Sequence, residues 1–125
     1  MRVCTPLLAL ITLALASCEG GSGGSGDIDC AGVAGATEIT TTGETISNSG
    51  LEGSYTVTGN NNTITVTNSE FDTYTITGTG NTLNATDNVT FTKLALCGSD
   101  NVANIQEGAA QTTLEDGFDN AINEL

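Results

Sequence analysis

The chain has 125 residues and a formal net charge of −13, from 15 acidic residues against two basic ones. This excess of carboxylates argues against nucleic acid as a partner, because phosphate backbones are bound through clustered lysine and arginine. It also disfavours electrostatic docking on anionic lipid head groups, which requires a basic segment.

Residues 1–17 have the pattern of a bacterial lipoprotein signal peptide. Arg2 precedes an apolar run that ends in Leu15-Ala16-Ser17-Cys18, a lipobox. The run is shorter than the roughly 20 apolar residues of a membrane-spanning helix, but it has the length of a signal-peptide hydrophobic region. We therefore expect Cys18 to be the lipidated first residue of the mature protein. Ordinary secretory cleavage after Ala14-Leu15-Ala16 is the alternative.

Residues 18–29 are expected to form a tether behind the lipid anchor. The stretch from Glu19 to Gly26 reads EGGSGGSG, a composition typical of flexible linkers. Together, the lipobox and the tether predict an exported, membrane-anchored protein. Glu19, rather than aspartate, follows Cys18, and by resemblance to enterobacterial sorting this favours the outer membrane or cell surface.

Residues 30–111 contain a repeat with a period of 19 to 20 residues. Glycines occur at 59, 78 and 98, and an asparagine lies three residues after each of them, at 62, 81 and 101. Each unit reads as a short alternating strand, a Gly/Asn turn and a second alternating strand. Because stacked units can complete one another's core, the repeat predicts an all-β fold, a small right-handed parallel β-solenoid of three to four coils, each of about 16–20 residues. An antiparallel β-sandwich is the alternative.

The repeat register predicts columns of inward side chains and a corner ladder of asparagine amides. We align the short unit ITTTG, residues 39–43, with the later glycines, so that Gly43 matches Gly59. The predicted inward columns are Ile39/Tyr55/Tyr74/Leu94, Thr41/Val57/Ile76/Leu96, Ile64/Leu83/Ala103, Val66/Ala85/Ile105 and, on a third side, Leu51/Phe71/Phe91. The predicted ladder is Asn62, Asn81 and Asn101.

Two cysteines remain for the folded domain, since Cys4 leaves with the signal peptide and Cys18 carries the lipid. Cys30 and Cys97 form an even pair in an oxidising compartment, where disulfides form and persist. A disulfide across this separation stabilises by about 4 kcal/mol. We therefore expect the two to be bonded.

Residues 112–125 have the spacing of an amphipathic helix. Leu114, Phe118, Ala121, Ile122 and Leu125 fall on one helical face, and Thr113 is a suitable N-cap. The segment is predicted to cap the open end of the solenoid. A partner-binding helix is the alternative.

A regular array of threonines is expected on the outside of the solenoid. Neighbouring coils lie about 4.8 Å apart and alternate residues of a strand about 6.7 Å apart. A flat hydroxyl and methyl grid of this kind is typical of ice-binding solenoids, although threonine is also an ordinary outward strand residue. The array consists of Thr40, Thr42, Thr56, Thr58, Thr75 and Thr77.

The sequence offers little for catalysis or cofactor binding. It has no histidine, so Ser/His/Asp and Cys/His nucleophilic sites and imidazole zinc sites are excluded. Calcium could use oxygens of Asp72, Asp87, Asn88 and Asp100, but such residues are ordinary turn formers. We expect no enzyme, no metal and no cofactor beyond the covalent lipid on Cys18. The expected function is a structural, adhesive or partner-binding role in the cell envelope, with ice or ordered-surface binding as the alternative.

The lipobox, the Gly-rich tether and the repeated Thr-x-Thr-Gly-x-x-Asn units resemble a bacterial family of unknown function. Its members are small secreted or lipid-anchored β-repeat proteins with strings of the type G-x-N-N-T-V. The resemblance covers residues 30–105 and implies a parallel β-solenoid without implying an activity. This chain departs from that pattern in its short first unit and its amphipathic C-terminal segment.

Overall fold

The computed structural model describes residues 30–125, so the predicted signal peptide, Cys18 and the tether lie outside the described residues. The described part consists of strands and turns, and within it no helix has the length and apolar character needed to cross a membrane. The strands are β1 (Thr37–Ile39), β2 (Thr45–Ser49), β3 (Glu52–Val57), β4 (Thr63–Thr67), β5 (Ser69–Ile76), β6 (Thr82–Ala85), β7 (Val89–Leu96), β8 (Val102–Ile105), β9 (Ala110–Glu115) and β10 (Ala121–Glu124).

The strands form two parallel five-stranded sheets. The first sheet has the order β1-β3-β5-β7-β9 and the second has the order β10-β8-β6-β4-β2. Each coil therefore gives one strand to each sheet, and we number the coils 1 to 5 from the pair β1/β2 to the pair β9/β10. The predicted parallel β-solenoid is confirmed and the sandwich alternative is wrong. The solenoid has five coils, one more than the largest number expected.

The predicted C-terminal helix is wrong, because residues 110–124 form coil 5. Gly117 and Asn120 continue the glycine and asparagine repeat, and the Asn120 Oδ1 accepts a hydrogen bond from the Asn101 backbone N–H at 2.9 Å. The apolar residues fit a helical face equally well. Pairing along β7 and β8, however, satisfies backbone groups that a separate helix would leave open. The solenoid therefore continues past residue 111.

The register predicted for coil 1 is wrong by two residues. Ile39 pairs with Val57, not Tyr55, and Thr42 forms a bridge with Asn60. Gly43 therefore falls beside Asn61, and both have a positive φ, 73° and 57°. Glycine and asparagine are the residues that adopt this left-handed backbone most readily. The glycine of the ITTTG unit thus serves a different corner position from Gly59.

The core runs through the stack between the two sheets. The predicted columns in coils 2 to 4 are confirmed by pairs such as Tyr74↔Leu94 and Ile64↔Leu83. Phe71 pairs with Gly53 rather than standing beside Leu51, which is half-buried. Four rings form a continuous cluster, with centroid separations between 4.9 and 5.9 Å. They belong to Tyr55, Phe71, Tyr74 and Phe91.

A ladder of buried asparagine amides binds the coils together at one corner. Asn81 is typical: its Nδ2 donates to the Gly59 carbonyl at 2.9 Å and to the Asn101 Oδ1 at 3.2 Å. Its Oδ1 accepts from the Asn62 backbone N–H at 3.0 Å. Asn62, Asn81 and Asn101 are at most 1% exposed, so the predicted ladder is confirmed. Asn120 extends it into coil 5.

The inward positions of the two terminal coils are partly polar. In coil 1, Thr37 pairs with Tyr55 and Asn48 with Val66. In coil 5, Glu115 pairs with Leu96 and Glu124 with Ile105. Charged and polar residues on exposed edge strands oppose pairing with further chains, and polar outer repeats keep solenoids soluble. The terminal coils therefore close the stack without a helical cap.

Candidate functional site

The described part of the protein has two broad outer surfaces, one on each sheet. Outward residues of the first sheet include the threonines predicted to form an array, and we call this surface the threonine face. The outward side chains of the second sheet form the other surface, which we call the neutral face. They are Thr45, Ser47, Ser49, Thr63, Thr65, Thr67, Thr82, Asn84, Val102, Asn104, Ala121 and Asn123.

Only some of the predicted threonines are aligned on the threonine face as expected. Thr56 pairs directly with Thr75, so coils 2 and 3 are in the expected register. In coil 1 the partner of Thr56 is Glu38, and Thr42 lies beside Asn60 in a turn. Thr40 and Thr42 therefore do not occupy the positions expected for them. Glu38 stands in the row of Thr56 and Thr75 in coil 1, so that row of hydroxyls is limited to two coils, whereas the same register places Thr40 beside Thr58.

The segment from Cys30 to Ala36 lies across the threonine face. A Cβ built on Gly32 would lie 3.2 Å from the Thr56 Oγ1, which shows how closely the segment approaches. Segment and face together line a cleft of about 400 Å³, with Thr58 and Thr77 on the sheet side. Thr75 is 0% exposed, and its Oγ1 makes no hydrogen bond. The face is therefore partly covered where the array was expected to be open.

The predicted disulfide fixes this segment. Cys30 and Cys97 are bonded, with an S–S distance of 2.05 Å, across 67 positions of the sequence. Cys97 directly follows β7, so the bond attaches the start of the described chain to coil 4 of the first sheet. The cross-link encloses coils 1 to 3 and the whole of β7, the first-sheet strand of coil 4, within one covalent loop.

The neutral face is regular and open. Thr45, Thr63 and Thr82 stand in one column, and Ser47, Thr65 and Asn84 stand in the next. No described segment crosses it, and its residues are exposed or half-buried. The inward neighbours on the same strands, such as Ile64, Val66 and Leu83, are 0% exposed. The core therefore holds this array in a fixed position.

Asparagines on the neutral face form a second amide ladder on the outside of the stack. The Asn104 Nδ2 donates to the Asn84 Oδ1 at 2.8 Å, and the Asn123 Nδ2 donates to the Asn104 Oδ1 at 2.9 Å. Each amide has two donor hydrogens and an acceptor oxygen with two lone pairs. Part of that capacity remains available to an external partner.

Charge is distributed unequally over the described residues. None of the outward strand residues of the second sheet is ionisable. The first sheet carries Glu38, Glu52, Glu70, Asp72 and its one basic residue, Lys93. The other carboxylates belong to turns or to coil 5 and are Glu44, Asp87, Asp100, Glu107, Glu115, Asp116, Asp119 and Glu124. The neutral face is thus uncharged on an acidic protein.

The residues named for calcium do not come together. Asp72 lies on β5, Asp87 and Asn88 lie in the turn before β7, and Asp100 lies in the turn before β8. Within residues 30–125, no three histidine, cysteine, aspartate or glutamate side chains form a group that could hold a metal ion.

Two large apolar side chains are exposed at the coil 5 end. Phe118 is 69% exposed and Leu125 is 71% exposed, whereas Leu114 is half-buried on the first sheet. A helix would place these three residues on one face. The strand conformation separates them, with Phe118 in the turn between β9 and β10.

Sequence reasoning identified the threonines of the first sheet but not the neutral face. The signal was present in the uninterrupted alternation of Thr63-Ile64-Thr65-Val66-Thr67, which places three threonines on one side of a strand. No protein-family model, curated protein or solved structure matches the chain.

Proposed function

We propose that the protein is a lipid-anchored module of the cell envelope whose role is adhesive or structural rather than catalytic. In this proposal residues 1–17 are removed, Cys18 carries the lipid, and residues 19–29 connect the membrane to the solenoid. By resemblance to enterobacterial sorting, Glu19 supports an anchor in the outer membrane or at the cell surface. The proposal is supported by the resemblance of the lipobox, the tether and the repeat units to those of small lipid-anchored β-repeat proteins.

One observation carries the proposal: the disulfide binds the incoming chain to the threonine face. A tether that ends at Cys30 is fixed to Cys97 on the first sheet. The neutral face lies on the opposite sheet and is crossed by no described segment. A module attached on one side and open on the other can present a surface away from its anchor.

The anchor is tested by metabolic labelling with palmitate, followed by membrane fractionation. The parent protein is expected to be labelled and to remain with the membrane, whereas a Cys18→Ser variant is expected to be unlabelled. Protease treatment of intact cells then tests display at the surface. Labelling that survives Cys18→Ser, or a parent protein found only in the soluble fraction, would contradict the proposal.

A protein partner at the coil 5 end is a second candidate role, favoured by the exposure of Phe118 and Leu125. A photo-cross-linking residue in place of Phe118, used in intact cells, is expected to capture one reproducible envelope protein. The same residue in place of Thr58 is the control on the threonine face. Equal capture from both positions would remove the support for a specific partner.

A further inference from the structure

The neutral face repeats in two directions. Adjacent coils are about 4.8 Å apart and alternate residues of one strand about 6.7 Å apart. The exact pairing Thr45↔Thr63↔Thr82 keeps equivalent groups in line from coil to coil. Most of its groups are hydroxyls or amides, and threonine and valine add methyls. A surface with a fixed repeat in both directions is matched best by a partner that also repeats in both directions.

The absence of charged side chains from the neutral face indicates that the partner is uncharged. A carboxylate on the face would hold its own hydration shell and would resist contact with an uncharged surface. None is present there, although the carboxylates of this acidic chain occur on the first sheet, in turns and in coil 5. Hydroxyl and amide groups both donate and accept hydrogen bonds. The face therefore suits an uncharged lattice of donors and acceptors.

Other occupants fit less well. An extended peptide needs an open sheet edge or a groove, but this face is the flat side of a sheet. Sugar rings stack on aromatic side chains, and the face has none. Five strands about 4.8 Å apart give only a few hundred Å² of contact. A second copy of the chain would need about 800 Å² per partner for a stable interface.

We propose that the neutral face binds ice. Thr63, Thr65 and Thr67 lie on β4, between β2 and β6, and their hydroxyls would join ordered water while their methyls fill the spaces between water molecules. Ice is an uncharged lattice of hydrogen-bond donors and acceptors that repeats in two directions, as this face does. Binding by this face does not depend on the lipid anchor, but its use at the cell surface rests on the proposed function.

The test measures ice recrystallisation in polycrystalline ice with the whole mature chain, residues 18–125, carrying Cys18→Ser to omit the lipid. The key variant is Thr65→Lys, which places a charge and a long side chain on the neutral face, midway along β4. Thr58→Lys is the matched control, because it makes the same change in the same coil on the threonine face. Circular dichroism and thermal unfolding establish that each variant is folded.

The parent is expected to inhibit recrystallisation, Thr65→Lys to lose about tenfold or more of that activity, and Thr58→Lys to retain it. If Thr65→Lys does not fold, Thr63→Lys, at an exposed position of the same face, replaces it. An inactive parent overturns the proposal. So does a loss confined to Thr58→Lys, which would assign the activity to the threonine face. A parent that ignores ice but sediments with crystalline neutral polysaccharide also overturns it, while leaving the envelope role intact.

Discussion

The central coils, 2 to 4, and the terminal coils, 1 and 5, use the same strand arrangement with different interiors. In the central coils, inward side chains such as Ile64, Leu83 and Leu94 are 0% exposed. At equivalent positions the terminal coils have polar residues, among them Thr37 and Glu115. A central coil is covered by a neighbour on each side, whereas a terminal coil has a neighbour on one side only. The difference shows that position in the stack, and not the repeat alone, determines what an inward residue must be.

The largest expected contrast concerns glycine. A Cβ on Gly78 would lie 1.7 Å from the Gly59 carbonyl oxygen, so Gly78→Ala must force coils 2 and 3 apart. We expect a loss of unfolding free energy of about 5 kcal/mol or more. In coil 1, Gly43→Ala meets no atom within 4 Å and suffers only from its positive φ, which costs about 1 kcal/mol. Urea denaturation of both variants measures the contrast, and equal losses would contradict it.

Truncation of an inward apolar residue should also destabilise a central coil more than a terminal coil, with a smaller loss of unfolding free energy than the glycine substitution causes. Leu94→Ala leaves a cavity at a fully buried site of coil 4 and is expected to cost about 3–4 kcal/mol. Ile122→Ala removes a half-buried side chain of coil 5 and should cost about 1 kcal/mol. Chemical denaturation at neutral pH gives both values. A larger loss for Ile122→Ala would mean that coil 5 is part of the central core.

The amide ladder gives a third contrast. Asn81→Ala deprives the Asn62 backbone N–H and the Gly59 carbonyl of their partner inside the protein. We expect a cost of about 3 kcal/mol, since unsatisfied buried polar groups are expensive. Asn120→Ala, at the end of the ladder, should cost about 1 kcal/mol because water can replace the amide there. Hydrogen exchange of the Asn62 amide should accelerate strongly in the first variant and hardly in the second.

The smallest effect depends on pH. Burial in coil 3, with a smaller contribution from Tyr55, raises the pKa of the Tyr74 phenol. The unfolded chain has an ordinary tyrosine pKa of about 10 and releases this proton first. Stability is therefore complete below pH 10 and declines above it, by at most about 1.4 kcal/mol per pH unit. Thermal unfolding midpoints between pH 8 and pH 11 should fall more steeply for the parent than for Tyr74→Phe.

The sequence predicts the central coils well because each repeat contains the residues that define its own turn and strands. Gly59, Gly78 and Gly98 mark each repeat, and alternation around them separates inward from outward residues. The ends were harder to predict. Gly117 and Asn120 belong to the repeat, but their apolar neighbours also fit a helical period, and only pairing with β7 and β8 decides between the two. In coil 1, the choice between Gly59 and Asn61 as the partner of Gly43 depends on backbone angles.

The candidate site was predictable only in part, for a different physical reason. Alternation shows which threonines point outward, but it does not show which outward face another segment covers. The segment that begins at Cys30 is distant in sequence, yet it approaches Thr56, the residue paired with the buried Thr75. The pairing of Cys30 with Cys97 was predictable from the cysteine count, whereas the path of the chain between Cys30 and β1 was not.

The disulfide also determines where a mechanical load enters the domain. Without it, a pull on the chain before Cys30 would act on β1, a three-residue strand, and would peel the coils off one at a time from the first. With it, the pull passes through the sulfur atoms to Cys97 in coil 4. Residues 31–96 then lie inside a covalent loop and cannot be drawn out. Reduction of this bond would let a pull on the chain before Cys30 unwind the solenoid from coil 1.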